Sequence, residues 1–190
     1  MLRPPRLLPL VCLLPALIGL AGCGDTGFLG GSWLSRRQAP PGALGAGNEQ
    51  RRDPALSGDG RLLASISERQ GRSSVIVQEQ SSGRLLPLRH LRGHGPHRSP
   101  ALSWNGRYLA VLMQQGMQTV AVVEDRLRGQ LLRLPAPAGA RVERLSLAPD
   151  GQTLALQLVQ GGQQRVQVFD LSGLLEPDRA GGRRVSDPPP

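Results

Sequence analysis

The chain has 190 residues, a formal charge of +9 and only 3% aromatic side chains. Its 23 basic residues are all arginines, scattered through turns and polar strand positions instead of forming a stripe interleaved with aromatics, so nucleic acid is not the expected partner. With its terminal segments set aside, the length leaves room for one domain of roughly 120 residues.

Arg3 and Arg6 precede an apolar run from Leu7 to Leu20, the charged and apolar regions of an export signal. That run is 14 residues long, short of the roughly 20 a helix needs to cross a bilayer. A permanent transmembrane anchor is therefore disfavoured. The segment ends in Leu20, Ala21, Gly22 and Cys23, which resembles the lipobox of bacterial lipoproteins. The resemblance implies a signal peptide over 1–22, cleavage between Gly22 and Cys23, and a lipid on the Cys23 sulfur. Two or three acyl chains such as palmitate exceed the marginal membrane affinity of a single chain. Cys12 leaves with the signal, so neither a free thiol nor a disulfide is expected in the mature chain. Gly24 follows the cysteine, where enteric lipoproteins retained at the inner membrane carry aspartate. The implied location is the periplasmic side of a membrane, outer favoured over inner.

Residues 23–52 read as a flexible tether, rich in glycine and broken by Pro40 and Pro41. A coil of about 30 residues spans roughly 30 Å. Phe28, Leu29, Trp33 and Leu34 form a small apolar island within a solvated linker.

Beyond the tether the chain repeats itself. Pro54 to Ala64 reads PALSGDGRLLA, Pro100 to Ala110 reads PALSWNGRYLA, and Arg144 to Ala155 reads RLSLAPDGQTLA. The turn residues are Asp59 and Gly60, Asn105 and Gly106, and Asp150 and Gly151, with the glycines 46 and 45 residues apart. That period is close to that of a propeller blade. Asx-Gly between short apolar runs is a strong hairpin signal, because glycine accepts positive φ and the Asx side chain bonds nearby backbone. Each copy continues into a valine pair, Val75 and Val77, Val120 and Val122, or Val166 and Val168, followed by Glu79, Glu124 or Asp170. A turn with Gly83 or Gly129 then leads to a leucine-rich strand, Leu85 to Leu88 or Leu131 to Leu134.

At these motifs the chain resembles the TolB-like β-propeller family, the turn of Ala148, Pro149, Asp150 and Gly151 most closely. The resemblance implies an all-β fold of three four-stranded antiparallel blades over 53–175, with copies at about 53–98, 99–143 and 144–175. Residues 176–190 read as a disordered tail. Propellers close with about four to eight blades, and the family joins a six-bladed ring to an N-terminal domain for which this length leaves no room. Two arrangements are open: a stack of three blades, or a ring closed by two chains. Second-strand faces favour the open stack and a monomer. Leu62, Ala64 and Ile66 align with Tyr108, Ala110 and Leu112 and with Thr153, Ala155 and Gln157. The opposite face carries Leu63, Ser65 and Ser67, then Leu109, Val111 and Met113, then Leu154, Leu156 and Leu158. Polar residues thus fall on opposite faces of the first and last blades, as expected of caps that meet water. The last strand of the third copy is indistinct, which leaves an edge for a partner strand.

No nucleophile elbow, phosphate loop, dinucleotide fingerprint or zinc-protease helix is present in the sequence. No catalytic residue and no cofactor is assigned. His90, His94 and His97 fall in the loop RHLRGHGPHR and are weak metal candidates, because Arg89, Arg92 and Arg98 repel a cation and no carboxylate lies among them. Asp59 and Asp150 are assigned to turn formation. The function expected is a membrane-tethered, non-enzymatic interaction module of the cell envelope. Its partners would be the membrane, through the lipid, and another envelope protein or an anionic envelope component. Two rivals stand beside it: a copper- or zinc-handling lipoprotein built on the histidine loop, and a degenerate propeller remnant.

Overall fold

The computed structural model describes residues 50–92, 95–182 and 185. The signal peptide, Cys23, nearly all of the tether and His94 lie outside the described residues.

The first sheet runs β1 (Gln50–Leu56), β2 (Leu62–Arg69), β3 (Arg72–Glu79) and β4 (Leu85–Leu86). The second runs β5 (His97–Leu102), β6 (Tyr108–Gln115), β7 (Gln118–Asp125) and β8 (Gln130–Leu134). The third has β9 (Arg141–Leu147), β10 (Thr153–Gln160) and β11 (Gln163–Asp170), with β10 in the middle. All pairings are antiparallel between consecutive strands. Each sheet is one blade, and the first strands of successive blades, β1, β5 and β9, lie side by side.

β1 and β5 start before the repeat prolines. Pro54 and Pro100 lack the N–H a ladder needs, and the pairing steps across them by a register shift between Arg52 and Ala55 and between Arg98 and Ala101. Asp53 and Ser99 sit at φ 51° inside these bulges. Their side chains are turned to use: the Ser99 N–H donates to Asp53 Oδ2 at 3.1 Å, and the Leu145 N–H donates to Ser99 Oγ at 3.1 Å. Each bulge thereby ties its blade to the next.

Two apolar layers fill the gaps between blades. Leu62, Ala64, Ile66, Val75 and Val77 of the first blade pack on Leu109, Val111 and Val122 of the second. Tyr108, Ala110, Leu112, Ala121 and Val123 on the opposite face of the second pack on Leu154, Leu156 and Leu158 of the third. The second strands use their two faces as the alternation in the sequence lays them out. Each fully buried aliphatic side chain in these layers contributes about 1.5–3 kcal/mol.

Four features differ from the expectation. Among the described residues the third blade has three strands, because after β11 the chain turns at Leu171–Leu175 and runs back across the second blade. Residues 176–182, expected to be a disordered tail, therefore make specific contacts: Asp178 is 4% exposed. In the middle blade, Ala121 and Val123 pair with Leu112 and Ala110 as Val75 and Val77 pair with Ile66 and Ala64. The repeat acid is accordingly Asp125, not Glu124, and the repeat pair is Ala121 and Val123. A slip of one residue moves a strand's side chains to the other face, and the run of valines in β7 hid it. Finally, the outer face of the first blade is shielded: Ser65, Ser67 and Gln78 are each 3% exposed, and Arg51 Nη1 donates across that face to Gln78 Oε1 at 2.6 Å.

Candidate binding site at the turn end of the blades

The three Asx-Gly turns stack. In the first, Asp59 Oδ1 accepts from Ser57 Oγ at 2.6 Å and from the Arg61 N–H at 3.0 Å. In the third, Asp150 Oδ1 accepts from the Gln152 N–H at 2.9 Å. Gly60, Gly106 and Gly151 have φ of 69°, 69° and 78°. A Cβ on Gly106 would strike Leu62 Cδ1, and one on Gly151 would strike the Tyr108 ring. The second and third turns thus each seat a glycine on the second strand of the blade before. Backbone bonds join turn to turn, from the Asp59 N–H to the Trp104 carbonyl at 3.0 Å and from the Trp104 N–H to the Pro149 carbonyl at 2.6 Å.

The middle turn has Asn105 where the others have aspartate, and its carboxylate comes from afar. Asp178 accepts from Ser103 Oγ at 2.6 Å, the Asn105 N–H at 2.8 Å and Asn105 Nδ2 at 2.9 Å. Its own N–H donates to the Asp150 carbonyl at 2.8 Å. Beside it, the buried Arg107 pairs with Asp125 Oδ2 at 2.9 Å and with Glu176 Oε2 at 3.0 Å, and Arg128 also pairs with Glu176. Burial alone would lower the Arg107 pKa, but the two carboxylates outweigh it and hold it up. Arg107 also lies 4.9 Å above the Tyr108 ring centroid, and the Tyr108 hydroxyl donates to the Glu176 carbonyl at 2.7 Å. Residues 175–179 thus form a strap that closes the second and third turns.

At the first turn there is a cavity instead, of about 220 Å³. Its walls are Asp59, Arg61 and Leu62 on one side, Glu79, Arg84, Leu86 and Pro87 on another, Asn105 and Arg126 of the second blade, and Val185 beyond the strap. Arg126 is 8% exposed. One amino group, Nη1, donates to the Gly106 carbonyl at 2.7 Å, while the buried Nε–H has no acceptor. Among the described residues no carboxylate lies within ion-pair distance of Arg126. Burial lowers its pKa, opposed by the field of Glu124. Glu124 itself is engaged: its carboxylate accepts from the N–H groups of Arg89, His90 and Leu91 at 2.9, 3.3 and 3.1 Å, pinning the connection between the first two blades.

The histidines do not meet at one point among the described residues. His90 Nε2 lies 2.8 Å from the Gly129 carbonyl. His97 is not in the loop but in β5, 3% exposed, where its Nδ1 accepts from the Val75 N–H at 3.1 Å. Burial lowers its pKa below the usual 6.5. His94 and Cys23 fall outside the described residues. Sequence patterns do not single out Arg126, Glu176 or Asp178, and bring in Glu124 only as a repeat acid; the matching positions of Arg61 and Arg107 after their turn glycines are the one signal that points toward this end of the blades.

No family model matches the chain, and no curated protein matches its sequence. Solved structures do resemble its fold. A TolB structure from Agrobacterium tumefaciens is 16% identical with a TM-score of 0.52, over 66% of this chain and 46% of that one. TolB from Acinetobacter baumannii is 18% identical with a TM-score of 0.50, over 63% and 30%. The β-propeller domain of the Trilobed protease from Pyrococcus furiosus, described as having an open velcro topology, is 14% identical with a TM-score of 0.50, over 69% and 41%. The chain spans less than half of each of these structures. With its three antiparallel sheets and no closed ring among the described strands, it has a TolB-like, open β-propeller fold.

Proposed function

We propose that this chain is a lipid-tethered protein-interaction module of the cell envelope, held by Cys23 on the periplasmic face of a membrane, with the outer membrane favoured, and binding through the edge of its third blade. The observation that carries the binding role is β11. Val166 and Val168 are 71% and 62% exposed, whereas their counterparts Val75 and Val77 are 3% and 0% exposed. β11 also ends its sheet, paired only with β10 among the described strands. Unpaired N–H and C=O groups beside exposed valines form a template for a partner strand. Lipobox and TolB-like fold together support the envelope setting, and binding through an edge needs no catalytic group.

A photoreactive side chain at Val168 of the full chain, in native envelopes, tests this reading. The expected result is one adduct of defined mass at Val168 and none at Met117, which is 98% exposed on the second blade. Equal adducts at both positions would reject the edge as the binding surface. Cys23→Ser should move the protein from the membrane to the soluble fraction, and membrane retention would reject the anchor.

A further inference from the structure

We infer that the cavity between the first and second blades binds a small monocarboxylate with an apolar body, its carboxylate held by Arg126. The site lies at the turn end, apart from the β11 edge, and stands whether or not that edge binds a partner.

The chain itself supplies a precedent for the chemistry. Arg61 and Arg107 each follow the turn glycine by one residue, and Glu79 and Asp125 by nineteen. In the second blade the Arg107–Asp125 pair receives an additional carboxylate, Glu176, delivered by the strap. In the first blade the corresponding Arg61 and Glu79 line the cavity, and no described carboxylate lies within ion-pair distance of Arg61. Arg126 adds a buried guanidinium whose Nε–H is unpaired. A buried cation without a carboxylate beside it carries a large desolvation cost that an anionic ligand would offset. With Nη1 already given to the Gly106 carbonyl, the remaining edge of the guanidinium suits a planar, two-oxygen acceptor.

Charge and shape narrow the ligand. Asp59 and Glu79 also line the cavity, but each is occupied by its own turn: Asp59 by Ser57 and Arg61, Glu79 by Ser82 at 2.6 Å and Arg84 at 3.6 Å. Those two carboxylates disfavour a dianion such as phosphate. Leu62, Leu86, Pro87 and Val185 provide an apolar wall, which suits a short hydrocarbon body.

The test is a nuclear magnetic resonance titration of the full chain with hexanoate, hexan-1-ol and inorganic phosphate. Hexanoate should shift the Arg126 Nε–H and the Leu62 and Leu86 methyl signals to saturation, with hexan-1-ol about tenfold weaker and phosphate without effect there. Arg126→Met should lose about tenfold in hexanoate affinity and keep the hexan-1-ol response. Equal binding of acid and alcohol, shifts confined to other surfaces, or a folded Arg126→Met chain that binds hexanoate as tightly would each overturn the inference. Should that variant fail to fold, the contrast between acid and alcohol on the native chain decides.

Discussion

The same repeat positions are closed at one blade junction and open at the other. Between the second and third blades, the strap inserts Glu176 and Asp178 over Arg107, Ser103 and Asn105. Between the first and second, the equivalent turn residues together with Val185 line a cavity that no strap carboxylate among the described residues enters, and the junction is held from another side by Glu124 on the backbone of residues 89–91. The apolar layers are alike in kind, so the difference lies in the polar fastening. A repeat supplies the shape of a junction, and single carboxylates outside the repeat pattern decide whether its turn end is sealed.

Breaking each fastening separately should expose that division. Asp178→Ala leaves three donors of the middle turn without their acceptor and should cost about 3 kcal/mol in denaturant unfolding; a loss below about 0.5 kcal/mol would mean the strap does not seal the junction. Glu124→Ala removes the acceptor of three backbone N–H groups at the open junction, with an expected loss of about 2 kcal/mol. Gly151→Ala combines positive φ with a clash on Tyr108 and should cost about 2 kcal/mol. Gly161→Ala, also at positive φ (58°) but with nothing near its would-be Cβ, should cost about 1 kcal/mol. Equal losses for the two glycines would deny that the third turn seats on the preceding blade.

The smallest effect is a dependence on pH at the open junction. Burial lowers the folded-state pKa of His97 below 6.5, so the unfolded chain binds the proton more readily. The contribution of neutral His97 to stability is complete above the unfolded value and is lost as pH falls through and below it. Thermal melts between about pH 7.5 and 5.5 should show a falling Tm that His97→Gln reduces. An unchanged pH slope in that variant would assign the effect to other groups.

Much of the fold was legible because it obeys local rules. Asx-Gly turns, a period near 46 residues and the alternation in β2, β6 and β10 identify the blades and the faces that bury each other. The middle-blade register was not, since β7 offers apolar side chains on both faces and Val120, Val122 and Val123 fit either reading. Asp178 was hidden for a different reason. It lies in a stretch of proline, glycine and charge whose order comes from donors 73 to 75 residues away, and no local pattern records a contact that distant. Arg126 shows the same limit: nothing in Glu124-Asp125-Arg126 distinguishes a buried cation with an unsatisfied Nε–H from an exposed one.

The strap also imposes an order of assembly. A chain that emerges amino end first can pair β1 through β8 while its last residues are still to come, and the connection at 89–91 can already be pinned by Glu124. Ser103 and Asn105 must wait for Asp178. Until it arrives, the middle turn has no carboxylate, and docking Asp178 closes a loop more than 70 residues long.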